Sequence, residues 1–200
     1  MPVNARRAKR ERGFTLIEVI ASMVVTALAF TALANFFFNQ APRAIEPIFQ
    51  TRAAKLGEAL VDEILGRPFD ENTPVGGVPA CGDSGPQACT DRLLMGLDGE
   101  SSRDLFDDVD DYDSYCNDTT PFDIEDALGN ETADPGNALE DFGRFKMSIC
   151  VGYDGSYDGT LNEPGNLERK AKLIIVKVFP PGVSGTTGTA ITFKVYKGNF

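Results

Sequence analysis

The feature that most constrains this chain is an apolar run near its start. The 25 residues from Phe14 to Phe38 contain a single charged side chain, Glu18. A helix of that length rises roughly 37 Å, which is enough to cross a hydrocarbon layer of about 30 Å with some tilt. The run therefore predicts a helix that spans a membrane.

A charged residue such as Glu18 is unusual in a membrane-spanning segment, and it suggests that a cationic group lies nearby. A carboxylate inside a spanning helix costs on the order of 2.5–3.5 kcal/mol on insertion scales, so we expect a cation to neutralise it. If the chain were cut between Gly13 and Phe14, the new amino group of Phe14 would lie about 6 Å along the axis from Glu18. The two charges could pair within one chain or between two chains.

The same residues resemble a known signal. A short basic leader that ends in Gly13, then Phe14, Thr15 and Glu18 ahead of an apolar run, is similar to the class III signal of type IV pilins and of type II secretion pseudopilins. The resemblance implies that a prepilin peptidase cleaves after Gly13 and N-methylates Phe14. It also implies that Glu18 pairs with the Phe14 amine of a neighbouring subunit in a filament.

Two ordinary explanations of the apolar run compete with this one. The run could be an uncleaved signal anchor, or a secretory signal peptide cut after Ala32-Leu33-Ala34. A secretory apolar core usually has about 7–15 uncharged residues, whereas this run is longer and carries a carboxylate. The prepilin interpretation is therefore favoured.

The charge distribution orients the chain across a membrane. The leader contains five basic residues and one acidic residue, and the remainder contains 14 basic and 29 acidic residues, a net charge of −15. Basic residues before the apolar run place the leader in the cytoplasm and everything after Phe38 outside. The resemblance to pilins implies that the membrane is a bacterial inner membrane. An acidic body also argues against binding of nucleic acid, which needs clustered Lys and Arg.

Four cysteines in an exported body are expected to form disulfides. Three pairings are possible. Cys81 and Cys89 lie close together in a loop-like stretch, which favours that pair and leaves Cys116 to bond with Cys150. A zinc site is disfavoured because the sequence has no Cys-x-x-Cys motif and no His.

The chain divides into a leader at residues 1–13, a long helix at residues 14–66 and an exported body at residues 67–200. Pro42 and Pro47 predict a bend or a local break in the helix, and two helices joined by a loop there are the alternative. An apolar stripe recurs at helical spacing beyond the prolines and should pack onto the body; it comprises Leu56, Leu60, Val61, Ile64 and Leu65. The helix should end near Gly66, before Pro68.

The region from Phe69 to about Asp141 is rich in turn signals, so we expect ordered loops with short helices. It includes 16 acidic residues and one basic residue, Arg103, between Asp98 and Asp141. We interpret this acidic run as a solvated surface. Calcium bound by carboxylates from Asp107 to Asp113 or Asp118 is the alternative, although no spacing there is diagnostic.

A second calcium candidate follows the first predicted strand. Asp154, Ser156 and Asp158 place oxygens at alternate positions before Gly159, as at the start of an EF-hand loop. Gly165 stands where the bidentate Glu of such a loop would be. A simple Asp-Gly turn is therefore the favoured interpretation, and metal there is a weak candidate.

Three strands are predicted in the last third of the chain. Alternation indicates a half-buried strand from Phe145 to Tyr153, with Cys150 pointing away from the apolar face, and another from Ile191 to Tyr196. The run from Lys172 to Phe179 is apolar on both faces apart from Lys172 and Lys177, as in a central strand. Short connections favour an antiparallel meander covered by the long helix, an α+β fold of the type IV pilin kind.

Further stretches are similar to one group of pilins. The runs from Leu60 to Glu71 and from Asp107 to Tyr112, and the ending from Tyr196 to Phe200, resemble the MshD-type minor pilins of the mannose-sensitive haemagglutinin (MSHA) pilus. The resemblance implies a low-abundance subunit that helps to start or cap a filament. The implied partners are prepilin peptidase, other major and minor pilins, the pilus assembly machinery and the inner membrane.

Three functions thus remain at the level of sequence. They are a minor pilin that passes from the inner membrane into an extracellular pilus, a minor pseudopilin of a type II secretion system, and, remotely, a membrane-anchored enzyme. Without His the chain has no Ser-His or Cys-His pair, and acidic residues alone do not establish a glycosidase site. We therefore expect a structural protein without a catalytic site, and no cofactor unless calcium binds.

Overall fold

One helix, α1, runs from Leu16 to Leu65. The computed structural model describes residues 13–74, 76–82, 88–96, 98–126, 144–161, 168–182 and 188–200, with the backbone alone at residues 39–45. The chain forms two compact units, one that ends at Ile45 and one from Glu46 to Phe200. The leader before Gly13, Gly165 and most of the acidic run beyond Asp126 lie outside the described residues.

The helix is continuous through both prolines, so the local break and the two-helix alternative are wrong. Proline removes one N–H donor from the ladder of hydrogen bonds, and the other residues of a 50-residue helix still carry that ladder. The carbonyl of Pro47 also accepts a hydrogen bond from Thr51 Oγ1 at 2.9 Å.

The first part of α1 is apolar and exposed. Leu16–Phe38 comprises 23 residues with a mean hydropathy of 2.2, and none of the most apolar window is buried. By length and composition this segment can cross a membrane.

The second part of α1 belongs to the body, as its apolar stripe predicts. Leu60, Val61 and Ile64 are buried in the main core, and Leu56 and Leu65 pack against it. The helix ends as predicted, because the N–H of Gly66 donates to the carbonyls of Asp62 and Glu63, both at 3.1 Å. Lys197 Nζ also donates to the Leu65 carbonyl at 2.8 Å.

The body contains a four-stranded antiparallel sheet in the order β1-β2-β3-β4. Its strands are β1 (Phe122–Asp123), β2 (Lys146–Tyr153), β3 (Ala171–Phe179) and β4 (Ile191–Gly198). The three predicted strands and their meander are confirmed. The sequence did not predict β1, because two residues are too few to show alternation.

One face of the sheet supplies the main core. Ile149 on β2 lies opposite Val176 on β3, and Ile174 on β3 lies opposite Val195 on β4. Ile149, Ile174 and Val176 are buried, and Val195 packs against the same cluster. The stripe of α1 covers this face, so a helix packed on one side of an antiparallel sheet forms the body.

Two 3-10 helices lie in the loop region, at Arg103–Leu105 and Asp110–Tyr115. The expectation of short helices is thereby confirmed for the described part of that region. The disulfides are Cys81–Cys89 and Cys116–Cys150, the two pairings that the sequence favoured. The second ties the end of the longer 3-10 helix to β2. An apolar N-terminal helix, a C-terminal sheet and two disulfides together make the expected α+β, pilin-like fold.

Candidate functional site

The proposed processing site lies at the start of α1. Gly13, Phe14 and Thr15 are outside the helix, and the side chain of Phe14 is 81% exposed. The carbonyl of Thr15 accepts hydrogen bonds from the N–H groups of Glu18 at 3.1 Å and Val19 at 3.2 Å. The Gly13–Phe14 peptide bond therefore lies outside the helix in exposed chain, where a peptidase could reach it.

Glu18 lies in the first turn of α1 and is exposed. A carboxylate at this end of a helix is stabilised by the helix dipole, by about 0.3–1 kcal/mol. The structure contains one copy of the chain, so the predicted pairing with the Phe14 amine of a neighbour stays a prediction.

The hydroxyl groups of the apolar segment are satisfied within the helix. Ser22 donates to the Val19 carbonyl at 2.8 Å, Thr26 to the Ser22 carbonyl at 2.7 Å, and Thr31 to the Ala27 carbonyl at 2.8 Å. These bonds remove the need for water, so the hydroxyls are compatible with a hydrocarbon layer. The charge of Glu18 is the group that still needs a partner there.

The acidic run of the body corrects a prediction. The sequence predicts a solvated surface, and Asp104, Asp107 and Asp118 are exposed as expected, but Asp108, Asp110 and Asp111 are buried. Asp108 accepts hydrogen bonds from the N–H groups of Glu71 at 2.6 Å and Asp110 at 2.8 Å. Asp111 accepts from those of Asp107 at 2.9 Å and Asp108 at 3.2 Å. These carboxylates hold the loop together, because they satisfy backbone donors that would otherwise be buried without partners.

A buried lysine lies at the centre of this loop. Lys172 of β3 is fully buried, and its Nζ donates to the carbonyl of Phe69 at 2.6 Å and to Asp110 Oδ1 at 2.7 Å. Asp70 Oδ2 lies 3.5 Å from Nζ, and the ring of Phe69 lies 4.6 Å from it. Lys172 thus connects the end of α1, the 3-10 helix and the sheet.

Arg103 forms a second buried ion pair. Its Nε and Nη2 donate to the two carboxylate oxygens of Glu63 on α1, at 3.0 and 2.6 Å. Nη1 donates to the carbonyl of Glu125 at 2.7 Å, and the hydroxyl of Tyr112 donates to Glu63 at 2.8 Å. The sequence predicts no role for Arg103 or Lys172; the available signals were a basic residue within an acidic run and a lysine within an apolar strand.

Burial changes the pKa values of the acidic loop. The pKa of Asp108 is raised to about 9 by burial, then by its hydrogen bond with Asp110 and by the charge of that residue. The pKa of Asp111 is raised to about 6 by burial, against the effect of its two backbone hydrogen bonds. Burial therefore favours the neutral form of both carboxyl groups, and more strongly that of Asp108.

The calcium candidates have different surroundings. Asp154 is buried and accepts hydrogen bonds from the N–H groups of Asp158 and Gly159 and from the hydroxyl of Tyr196. Ser156 also donates to Asp158, so this segment is the Asp-Gly turn that the sequence favoured. The described residues also place carboxylate oxygens of Asp98, Glu100 and Asp111 within 4.8 Å of one another. These ligand types suit calcium, whose binding stays a prediction.

A comparison with protein families identifies a motif at the start of the chain. The family described as a prokaryotic N-terminal methylation motif matches residues 8–34, which include Gly13, Phe14 and Glu18. No curated protein and no solved structure matches this chain. The motif implies processing by prepilin peptidase and assembly with other pilins, and it points to a structural, single-pass membrane-anchored protein. The matched motif, the apolar helix and the disulfide-bonded α+β body together support a type IV pilin or a pseudopilin.

Proposed function

We propose that this protein is a minor pilin of a type IV pilus, of the MSHA kind. The observation that carries the proposal is the methylation motif at residues 8–34 on the exposed, apolar start of α1. The similarity to MshD-type minor pilins in the runs around Glu63 and Asp110 supports the choice of pilus. The chain enters the inner membrane with its body outside, loses its leader and joins the filament.

The chemistry of the N-terminus provides the driving force for that transfer. Cleavage after Gly13 creates a cationic amine on Phe14, and N-methylation leaves the charge in place. A neighbour's Glu18 accepts this cation in a medium where an unpaired carboxylate is unfavourable. The apolar side chains of α1 then leave lipid for an equally apolar filament core, so the ion pair sets the axial register of adjacent subunits.

The body is proposed to act as a structural head without catalytic activity. Its buried charged groups, Arg103 and Lys172, bind carboxylates and carbonyls of the body itself. With no His in the sequence, the usual nucleophile–base pairs are absent. The head therefore contributes shape and surface to an assembly.

A minor pseudopilin of a type II secretion system is the second candidate. It rests on the same observation, since pseudopilins share the methylation motif. The test is deletion of the gene in its own bacterium, with counts of surface pili and assays of secreted enzymes. Loss of pili with normal secretion supports the minor pilin, and the reverse result supports the pseudopilin.

Processing is the step that tests the shared part of the proposal. Because the peptidase binds a small residue before the cut, Gly13→Val is expected to leave the leader attached. Ala34→Val is the matched control, because it alters the alternative secretory site and leaves Gly13 intact. Intact-mass measurement of membrane-extracted protein should show a methylated Phe14 terminus for the wild type and for Ala34→Val. A mature terminus at Asn35 would contradict the proposal.

A further inference from the structure

The last strand of the sheet, β4, has one backbone edge at the margin of the sheet. It pairs with β3 on one side only. Just beyond the paired residues, the N–H of Asn199 donates to the Lys170 carbonyl at 2.9 Å. Because hydrogen-bonded and non-bonded pairs alternate along an antiparallel ladder, every second residue of β4 directs its N–H and carbonyl groups away from β3. The outward-facing residues inside the strand are Thr192, Lys194 and Tyr196.

These three residues present a row of unused hydrogen-bonding groups. Within the part of the chain that the structure describes, no residue outside β4 donates to their carbonyl groups or accepts from their N–H groups. Their side chains are exposed on the face of the sheet that α1 does not cover. An edge strand with free N–H and carbonyl groups is a template on which another extended chain can pair.

The opposite face of the same edge leaves apolar surface incompletely covered. Ile191, Phe193 and Val195 pack against the main core, yet each is only half-buried. Their partners on β3, such as Ile174 and Val176, are fully buried between two neighbouring strands. A further strand beside β4 would cover the exposed side of these three side chains, because cross-strand neighbours on one face of a sheet contact one another.

The charge of this part of the body is positive. Residues 169–200 contain six basic residues and no acidic residue, whereas the chain after the leader has a net charge of −15. Lys194 is exposed, and its Nζ donates to the Gly159 carbonyl at 3.3 Å, a neutral group that does not balance its charge. The nearby carboxylate of Asp158 accepts hydrogen bonds from Ser156 and Thr160, both at 2.9 Å. The edge therefore favours an acidic partner.

We propose that the free edge of β4 binds an extended segment of another protein chain in which apolar and acidic residues alternate. The segment runs antiparallel to β4 and extends the sheet by one strand. Its acidic side chains lie beside Lys194, and its apolar side chains cover Phe193 and Val195. A second copy of β4 is a poorer occupant, because pairing centred on Lys194 places two like charges opposite each other. The proposal concerns the body alone and does not depend on the proposed function.

A synthetic peptide of alternating valine and glutamate, capped at both ends, is the probe for this edge. The full-length protein in detergent would be titrated into the fluorescently labelled peptide, and the anisotropy would give a Kd. We expect saturable binding with a Kd below about 1 mM, and at least about tenfold weaker binding when lysine replaces glutamate. N-methylation of the glutamates, whose N–H groups face β4 in an antiparallel pair, should abolish binding because it removes the backbone donors.

Hydrogen exchange read at single residues by mass spectrometry would locate the bound peptide. Without peptide, the amides of Thr192, Lys194 and Tyr196 should exchange rapidly, because they have no partner in the sheet, whereas those of Phe193 and Val195 should exchange slowly. A saturating concentration of the valine–glutamate peptide should slow exchange at the first three amides. The last two should be slow in both samples, and they report that β4 is intact.

Three variants separate the contribution of charge from that of the backbone. Lys194→Glu should reverse the preference, so that the lysine peptide binds more tightly than the glutamate peptide. Thr192→Pro removes one outward N–H at an edge where proline is tolerated, and should weaken binding by at least about tenfold. Thr192→Val is the matched control, since it keeps that N–H, and should bind like the wild type. Slow exchange at Phe193 identifies the variants that have kept the fold.

The absence of saturable binding up to about 1 mM, or equal binding of the N-methylated peptide, would overturn the proposal. Protection confined to residues outside β4 would show that the peptide binds elsewhere. An unchanged preference in Lys194→Glu would contradict the assigned role of charge. A wild-type dimer that Thr192→Pro dissociates, measured by sedimentation in detergent, would show that a second copy occupies the edge in place of an acidic partner.

Discussion

At the residue scale, the carboxyl group of Asp111 is subject to two opposing influences, its backbone hydrogen bonds and its burial. Its carboxylate accepts two backbone N–H groups, yet its side chain is buried and lies near the carboxylates of Asp98 and Glu100. Burial is the largest influence and raises its pKa to about 6, from an ordinary value of 3.8. The folded protein therefore prefers the neutral form more strongly than the unfolded chain does.

Because the pKa of Asp111 is higher in the folded state than in the unfolded chain, the stability of the protein depends on pH. A raised pKa in the folded state contributes stability that is complete below pH 3.8 and is lost as the pH rises through about 6. Asp111→Asn is neutral at every pH, its carbonyl oxygen can accept the same two N–H groups, and its amide can donate towards Asp98 or Glu100. We expect the variant to be more stable than the wild type by about 1–3 kcal/mol near pH 7.5 and no more stable near pH 3.5.

Thermal unfolding of the full chain in detergent, followed by near-ultraviolet circular dichroism, would measure this difference. Asp107→Asn is the matched control, because the Asp107 side chain is exposed and lies only four residues before Asp111 in the sequence. Parallel stability–pH curves for wild type and Asp111→Asn would contradict the assignment.

The packing of α1 on β4 depends, at the element scale, on one glycine. A Cβ built on Gly57 would lie 2.2 Å from Cε2 and 2.7 Å from Cδ2 of the Phe193 ring. A glycine inside a helix costs about 1 kcal/mol relative to alanine, so helix propensity alone favours replacement. The contact with the ring opposes it, and Gly57 is retained where the helix and the strand approach closely.

Gly57→Ala is accordingly expected to destabilise the body by about 1–3 kcal/mol, in spite of the gain in propensity. In a Phe193→Leu background the clash is reduced, and the same substitution should be neutral or stabilising by up to about 1 kcal/mol. Unfolding of the four proteins gives a double-mutant cycle. A coupling energy near zero would show that the ring does not limit this position.

The elements that the sequence predicts well are those whose pattern is local. The alternation in β2 and β4, the apolar run of β3 and the stripe on α1 each depend on neighbours within a few residues. The end of α1 at Leu65 depends on nearby turn chemistry. The break expected at Pro42 and Pro47 is absent because long helices tolerate the loss of single donors.

Long-range pairing explains the features that the sequence could not predict. Asp108, Asp110 and Asp111 look like a solvated acidic run, because nothing nearby shows that Lys172 and backbone donors will enclose them. Arg103 binds Glu63, which lies 40 residues earlier in the sequence. The predicted processing residues Gly13, Phe14 and Glu18 are the opposite case, since they belong to a short linear motif that can be read from the sequence alone.

At the scale of the whole molecule, the two units have different proposed roles. The unit that ends at Ile45 carries the motif, the exposed apolar segment and the single charge of that segment, whereas the body from Glu46 onward carries the disulfides and the buried ion pairs. Assembly should therefore respond to changes in the first unit that leave the folding of the body intact.

Substitution of Glu18 tests whether assembly depends on the first unit without affecting the folding of the body. Glu18→Ala removes both the attraction to a neighbour's Phe14 amine and the cost of placing a carboxylate in lipid, so insertion and cleavage should be normal. Recovery in sheared filaments should fall by about tenfold or more, because a charge-assisted hydrogen bond contributes about 1.5–3 kcal/mol. Glu18→Gln keeps the shape of the side chain without its charge, and its recovery in filaments should fall similarly.

Glu46→Ala, an exposed position farther along α1, is the matched control and should assemble like the wild type. Quantitative immunoblots of membrane and filament fractions would measure all four proteins, and equal incorporation would mean that Glu18 makes no assembly contact here.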